Sequence, residues 1–126
     1  MKNKDLKRQV YFNGEFVPET EARISIYDSA LMFGDMVFEM TRSFRGKQFK
    51  LREHLQRLYN GIKILRIPMK LKIEEMEKAV HETVERNSKL FDKDDEHRIL
   101  IDVSRGLLSI YQDVDIKKGP YYFFSI

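Results

Sequence analysis

The chain lacks cysteine and tryptophan entirely and contains only three prolines among its 126 residues. Without cysteine it can form neither a disulfide nor a thiolate metal site. The three histidines, His54, His81 and His97, do not have metal-ligand spacing, so no metal is expected. The absence of disulfides agrees with a cytosolic protein, and we therefore expect a cytoplasmic location.

Long apolar runs and nucleotide-binding motifs are also missing. No apolar run approaches the length that spans a bilayer, so no contact with a membrane is expected. Residues 1–8 are basic, but no apolar segment follows them, which indicates a solvated tail and not a secretory signal. The sequence contains no glycine-rich dinucleotide motif, no phosphate loop and no nucleophile elbow.

The composition that remains is that of one globular domain. Hydrophobic residues make up 42% and charged residues 34%, which is enough apolar material for a core. We expect a basic tail over residues 1–8 and one domain over residues 9–126. The net charge is +3, with 20 acidic residues interspersed among 23 basic ones, so nucleic acid is not an expected partner.

Turn residues and apolar spacing predict an α+β domain. Asn13-Gly14 and Arg45-Gly46 each separate two apolar runs and predict two hairpins. Apolar residues at helical spacing predict two helices, one through Leu55, Leu58, Ile62 and Leu65, and one through Ile73, Met76, Val80 and Val84. Further strands are expected at 23–27, 98–104 and 121–126, a loop or helical turn at 29–35, and a long loop at 106–119. The expected fold is an antiparallel sheet of hairpins with two helices grouped on one face.

Three short motifs occur in a specific order. Residues 11–14 read Tyr-Phe-Asn-Gly, residues 33–39 read Phe-Gly-Asp-Met-Val-Phe-Glu, and residues 53–58 read Glu-His-Leu-Gln-Arg-Leu. In this order and spacing they resemble the N-terminal domain of the fold-type IV pyridoxal-phosphate (PLP) enzymes, the class IV aminotransferases. The resemblance spans about residues 9 to 126 and implies that family's small N-terminal domain as the fold.

The resemblance also implies roles for individual residues. Arg57 stands where the family's arginine contacts the cofactor phosphate, and a guanidinium suits that task because it donates parallel hydrogen bonds. His54 is expected to tie its helix to a nearby backbone group. The expected substrate-pocket residues are Phe33, Phe38, Arg42, Arg98 and Arg105, although core or surface roles are as compatible with the sequence for Phe38 and the arginines.

Two departures from the family pattern affect the expected substrate. Enzymes of the family that act on D-amino acids carry an arginine and a histidine shortly after the glycine that corresponds to Gly106, and residues 107–112 contain neither. This favours an L-branched-chain type of substrate over a D-amino acid. Met36 stands where many members have glycine or another small residue, so the methionine would narrow the backbone approach to the pocket or change which substrates fit.

The family's Schiff-base lysine, and the carboxylate that holds the pyridine nitrogen, are expected in a second domain after residue 126. This chain therefore has no expected catalytic residue, and alone it is expected to be inactive. By resemblance, the parent enzyme transfers an amino group between an amino acid and a 2-oxo acid and forms a homodimer. The alternatives are an aminodeoxychorismate lyase of the same family and a stand-alone, non-catalytic binding module. If a second domain is missing, residues 121–124 are expected to form an exposed apolar patch.

Overall fold

A single antiparallel sheet of six strands organises the protein, which was analysed as a computed structural model describing residues 7–111 and 120–126. The strands are β1 (Gln9–Phe12), β2 (Glu15–Pro18), β3 (Met36–Phe44), β4 (Lys47–Gln48), β5 (Arg98–Ser104) and β6 (Tyr121–Ser125). The helices are α1 (Ser29–Phe33), α2 (Leu51–Leu65) and α3 (Ile73–Arg86). The strand order is β2-β1-β6-β5-β3-β4, and every pairing is antiparallel.

Both hairpins form as the turn residues predict. Asn13 and Gly14 have φ angles of 52° and 90°, and Arg45 and Gly46 have φ angles of 52° and 75°. Positive φ at both central residues matches the right-handed twist of the flanking strands, which is why such pairs close tight hairpins. The sequence of residues 47–51 also suits a strand, but β4 ends at Gln48 because α2 begins at Leu51.

The two long helices cover one face of the sheet and bury the core. Their apolar stripes pack on the residues of β5 and β6 that point toward them, and most of this core is fully buried. The predicted stripe is wrong at one position, because Leu65 is 37% exposed at the last residue of α2. There the chain turns away through Arg66, whose φ is 55°. The α+β fold with helices on one face is thus confirmed.

The last strand does not form the exposed patch that its sequence suggested. β6 lies between β1 and β5 in the middle of the sheet, so it is paired along both edges. Tyr121 and Phe124 are buried, and Tyr122 and Phe123 are half-buried. A strand in the centre of a sheet is apolar because the sheet buries it, and that explanation accounts for residues 121–124.

The strand expected at residues 23–27 is absent, and a turn takes its place. The Ser25 hydroxyl accepts a hydrogen bond from the backbone N–H of Tyr27, and the Ser25 carbonyl accepts one from Asp28. Such local bonds compete with strand pairing. Asp28 then caps α1 by accepting from the N–H of Ala30 at 2.9 Å. The predicted loop 106–119 begins with a bridge at Leu107, and its residues 112–119 lie outside the described residues.

Candidate active site

An open groove runs along the edge of β3 where α2 crosses the sheet. β4 pairs with β3 only at Ser43 and Phe44, so the earlier part of β3 has a neighbour on one side alone within the described chain. The groove measures about 550 Å³. Its lining combines one edge of β3 with one turn of α2: Met36, Val37, Phe38, Glu39, Met40, Arg57, Leu58 and Gly61.

Close contact between α2 and β3 forms the wall of this groove. Gly61 lies on α2 directly over β3, and a Cβ built at Gly61 would meet Val37 Cγ1 at 2.9 Å, which is closer than real Cβ atoms approach. The glycine therefore lets the helix approach the strand. This approach brings the preceding turn of α2, with Arg57, beside Glu39.

Glu39 is a buried carboxylate with two basic partners. Only 6% of Glu39 is exposed, and its oxygens accept hydrogen bonds from Arg57 Nε, from Arg57 Nη2 at 2.8 Å, and from His54 Nδ1 at 2.8 Å if that nitrogen carries the proton. The Arg57 hydrogen bonds lower the pKa of Glu39, against the opposing effect of burial. Glu39 is therefore ionised at neutral pH and fixes the direction of the Arg57 guanidinium.

Arg57 remains available to an anion in spite of this pair. Its side chain is 72% exposed, and the bonds to Glu39 use Nε and Nη2. Nη1 has no partner among the described residues. A guanidinium that is held on one side and open on the other can donate further hydrogen bonds to a phosphate. The donor set of Arg57 therefore fits the phosphate group of PLP.

His54 has a different partner from the one expected. The sequence analysis assigned it to a backbone group, whereas it contacts the Glu39 carboxylate, 15 residues earlier in the chain. Sequence spacing could not reveal this pairing, because it depends on α2 folding back over β3. His54 is thus part of the arrangement that holds Glu39 and, through it, Arg57.

The aromatic residues expected in the substrate pocket are separated from each other. Phe38 lines the groove and is 63% exposed, on the sheet face away from the helices. Met36, the departure from the family's glycine, lines the same groove. Phe33 lies on α1, 65% exposed and outside the lining of this groove. Of the two phenylalanines, only Phe38 is brought beside Arg57.

Arg42 and Arg98 face each other across β3 and β5 at the other end of the sheet. They line a second groove of about 530 Å³ together with Glu96 and His97. Arg42 lies on the same face as Phe38 but four residues further on, about 13 Å along the strand. The two arginines therefore line a separate groove, apart from the groove that contains Arg57.

Arg105 is committed to contacts within the protein. Its Nε donates to Asp35 at 2.6 Å, and its Nη atoms donate to the carbonyls of Leu65 and Arg66 at the end of α2. These bonds join the start of β3 to the end of α2 and to β5. A role for Arg105 in substrate binding stays a prediction, and its observed contacts are structural.

Asp102 is a feature that the sequence analysis did not single out. It lies in β5 within the apolar run Ile-Leu-Ile-Asp-Val, and only 7% of it is exposed. No hydrogen bond or ion pair among the described residues engages its side chain, and burial raises its pKa to about 6. A single carboxylate within an apolar strand is the sequence signal that could have drawn attention to it.

The described residues offer little to other kinds of chemistry. They contain no group of three or more acidic or histidine side chains that could hold a metal ion. No helix in residues 7–111 or 120–126 combines the length and apolar character that crossing a bilayer requires. Each lysine in those ranges is exposed, so none lies in an apolar pocket that would lower its pKa.

The sequence that forms this site and this fold matches a known protein family. The family described as amino-transferase class IV matches residues 36–125, which include β3, both long helices, β5 and β6. The chain therefore belongs to the class IV aminotransferases, as the resemblance of its motifs indicated.

Individual relatives agree with this membership. A putative branched-chain-amino-acid aminotransferase of Methanocaldococcus jannaschii is 44% identical over 80 residues, which are 64% of this chain and 28% of the relative. A D-alanine aminotransferase of Staphylococcus epidermidis is 32% identical over 80 residues, with the same two coverages. The chain thus spans less than a third of the length of these two relatives.

Solved structures support the fold as well. The branched-chain aminotransferase of the thermophilic archaeon Thermoproteus uzoniensis, crystallised with norvaline, superposes with a TM-score of 0.78 at 28% sequence identity. The superposition covers 94% of this chain and 40% of that chain. A second branched-chain amino acid aminotransferase, with the same TM-score and identity, was crystallised with pyridoxamine 5'-phosphate. This member of the family therefore binds the aminated form of PLP.

Proposed function

We propose that this chain supplies the phosphate-binding arginine and one wall of the substrate pocket of a PLP-dependent class IV aminotransferase. The enzyme would transfer an amino group between an amino acid and a 2-oxo acid. The observation that carries the proposal is Arg57, fixed by Glu39 on one side and open to the groove on the other. Because the chain belongs to the class IV aminotransferases, the anion that we expect at Arg57 is the phosphate group of PLP.

The cofactor would take the amino group from one substrate and deliver it to the next. Arg57 would hold the cofactor phosphate with the donors that Glu39 leaves free. Glu39 contributes by fixing the guanidinium in place, and His54 contributes by holding Glu39. Because each described lysine is exposed, the lysine that binds the cofactor is expected outside these residues.

The substrate would lie against the apolar part of the groove. Phe38, Met36 and Met40 present apolar surface there, which suits an aliphatic side chain. The absence of an arginine and a histidine after Gly106 favours an L-branched-chain amino acid over a D-amino acid. Arg42 and Arg98 would serve a substrate carboxylate in their own groove, about 13 Å along β3 from Phe38. Roles for Phe33 and Arg105 in the substrate pocket stay predictions. We further expect the complete enzyme to be a homodimer.

The test is to bind PLP to this chain and to follow the phosphate by ³¹P NMR. The Arg57→Ala variant should bind PLP about tenfold more weakly or worse, since a charge-assisted contact is lost. Arg52→Ala is the matched control, because Arg52 lies on the same helix and also pairs with carboxylates, those of Glu74 and Glu77. Arg52→Ala should leave the affinity unchanged.

Equal affinities of the wild type and Arg57→Ala would overturn the role of Arg57. Equal losses of PLP affinity in both variants would show that the effect comes only from the overall positive charge of the chain. Binding with visible absorbance from a covalent bond between PLP and the chain would show that a lysine of this chain holds the cofactor. That result would contradict the expectation that this lysine lies elsewhere.

A further inference from the structure

Asp102 lies in the middle strands of the sheet, on the face opposite to α2 and α3. Its partner on β3 is Phe38, and its partner on β6 is Phe123. Side chains directly opposite each other on neighbouring antiparallel strands point to the same face, with Cβ atoms about 5 Å apart. The carboxylate of Asp102 is therefore flanked by a phenyl ring on each side.

No described residue forms a hydrogen bond or an ion pair with the Asp102 carboxylate. Although 93% of the residue is removed from solvent, its side chain makes no hydrogen bond or ion pair among residues 7–111 and 120–126. Arg42 and Arg98 are the charged side chains on the same face of β3 and β5. They lie four residues further along, about 13 Å away, which is too far for an ion pair. The Asp102 oxygens are not among the fully buried, unpartnered side-chain atoms of the described residues, so a ligand on the open face of the sheet can approach them. A carboxylate that has lost most of its water gains from a donor that such a ligand supplies.

The surroundings of Asp102 select the chemistry of such a ligand. A carboxylate attracts an ammonium group, and the faces of aromatic rings attract it as well. The next pair along the two strands is Met40 and Leu100, which offers apolar surface to an aliphatic chain. An anionic group would be repelled, and a purely apolar group would leave the carboxylate without a donor.

Phe38 connects Asp102 to the proposed active site. It lines the groove that contains Arg57, and it is also the cross-strand partner of Asp102. We propose that Asp102 is a specificity-determining residue that binds a terminal ammonium group of the amino substrate. That substrate is a basic amino acid or a diamine with an aliphatic stem, a class added to the branched-chain type. The assignment to a substrate rests on the proposed function, whereas the ammonium site itself does not.

The experiment measures binding of n-butylammonium to this chain by NMR, with 1-butanol as the neutral ligand of matched shape. Wild type should bind n-butylammonium in preference to 1-butanol. Asp102→Asn keeps the shape of the side chain and should weaken n-butylammonium binding about tenfold or more, with little effect on 1-butanol. Asp94→Asn is the control for net charge, since Asp94 is exposed in the turn before β5, and it should leave binding unchanged.

A second measurement separates recognition from a structural role. The carboxyl carbon of Asp102 should titrate at a lower pKa when n-butylammonium is present, because a bound cation favours the ionised form. A structural role alone would not produce this shift. The inference is overturned by absence of binding to wild type, by equal binding to wild type and Asp102→Asn, or by an unchanged Asp102 titration.

This experiment uses no PLP, so its outcome is independent of the Arg57 test. If n-butylammonium binds at Asp102 while Arg57→Ala leaves PLP binding intact, the ammonium site stands and the assignment of Arg57 fails. If PLP binding depends on Arg57 and n-butylammonium does not bind, the cofactor site stands and the Asp102 inference fails.

Discussion

Two carboxylates on neighbouring strands, Glu39 and Asp102, are buried to the same degree on opposite faces of one sheet. Glu39 is 6% exposed on the helix side, and Asp102 is 7% exposed on the other side. The pKa of Glu39 is lowered, mainly by hydrogen bonds from Arg57, whereas burial raises the pKa of Asp102 to about 6. Two residues of similar solvent exposure therefore have pKa values shifted in opposite directions.

The difference shows that the hydrogen-bond partners of a buried acid, and not its exposed fraction alone, decide the direction of its pKa shift. The helix face places α2 over β3 and supplies Glu39 with Arg57 and His54. The opposite face supplies Asp102 with phenyl rings and no donor from the described residues. On the first face the acid holds Arg57, the arginine that we propose to bind the cofactor phosphate. On the second face burial disfavours the ionised acid, and we propose that a ligand supplies its donor.

The largest expected effect is on stability in Asp102→Asn. The folded pKa of Asp102 lies above its ordinary value of 3.8, so the folded state binds the extra proton between about pH 4 and pH 6. The wild type therefore loses stability as pH rises through that window. At pH 8, Asp102→Asn should be more stable than wild type by about 2 to 3 kcal/mol. Urea unfolding at pH 8 and pH 4 measures the difference, which should nearly vanish at pH 4.

A gain that persists unchanged at pH 4 would mean that ionisation of Asp102 is not its cause. Asp94→Asn serves again as the control, and its stability should follow that of the wild type at both pH values. A loss of stability in Asp102→Asn at pH 8 would show that the ionised Asp102 has a favourable partner.

Neutralising Glu39, the acid with basic partners, should change stability in the opposite direction. Glu39→Gln should destabilise the chain by about 1 to 2 kcal/mol at pH 7, because hydrogen bonds to a charged acceptor are lost while Arg57 stays solvated. The folded pKa of Glu39 lies below its ordinary value of 4.5. The contribution of Glu39 is thus complete above pH 4.5 and is lost as pH falls through the folded pKa. Thermal unfolding of both proteins from pH 7 to pH 3 should show the gap closing.

Close packing on the helix face predicts a smaller loss in Gly61→Ala. The added methyl group would meet Val37, and this crowding should outweigh the gain in helix propensity by about 1 kcal/mol. Gln56→Ala, at an exposed position of α2, is the control and should change stability little. Urea unfolding measures both variants, and a stabilised Gly61→Ala would show that α2 is free to shift away from β3.

The smallest effect on stability is expected for Phe38→Ala, on the sheet face away from the helices. Because Phe38 is 63% exposed, its loss should change stability by no more than about 0.5 kcal/mol. By contrast, binding of n-butylammonium should weaken, since one of the two flanking rings is removed. Unfolding and NMR titration of the same sample measure the two effects. A large loss of stability would show that Phe38 is a core residue in solution.

Much of the fold could be predicted from local pattern. Asn13-Gly14 and Arg45-Gly46 indicated both hairpins, because Asn-Gly favours a two-residue turn and each pair places a glycine between two apolar runs. The spacing of Leu55, Leu58 and Ile62 indicated α2 and its buried side. The strand expected at 23–27 failed because Ser25 forms a local turn, which alternation of polar and apolar residues does not report.

The candidate site was predictable only as a motif. Residues 53–58 identified Arg57, and residues 33–39 identified Phe38, but the motif gave no account of what each residue contacts. Arg105 illustrates the limit, since it was expected in the substrate pocket and is joined to Asp35 across 70 positions of sequence. Pairs so distant in sequence form only when the strands have found their order.

The sequence alone determined the periodicity of the strands and helices, the turns and the family motif, because these depend on neighbours within one or two turns of chain. The tertiary structure decided which charged side chains pair with each other. It paired Glu39 with Arg57 and left Asp102 between two phenyl rings, although each acid directly follows apolar residues in its strand. The physical reason is that the energy of a buried charge depends on the donors around it, and folding brings those donors from other elements.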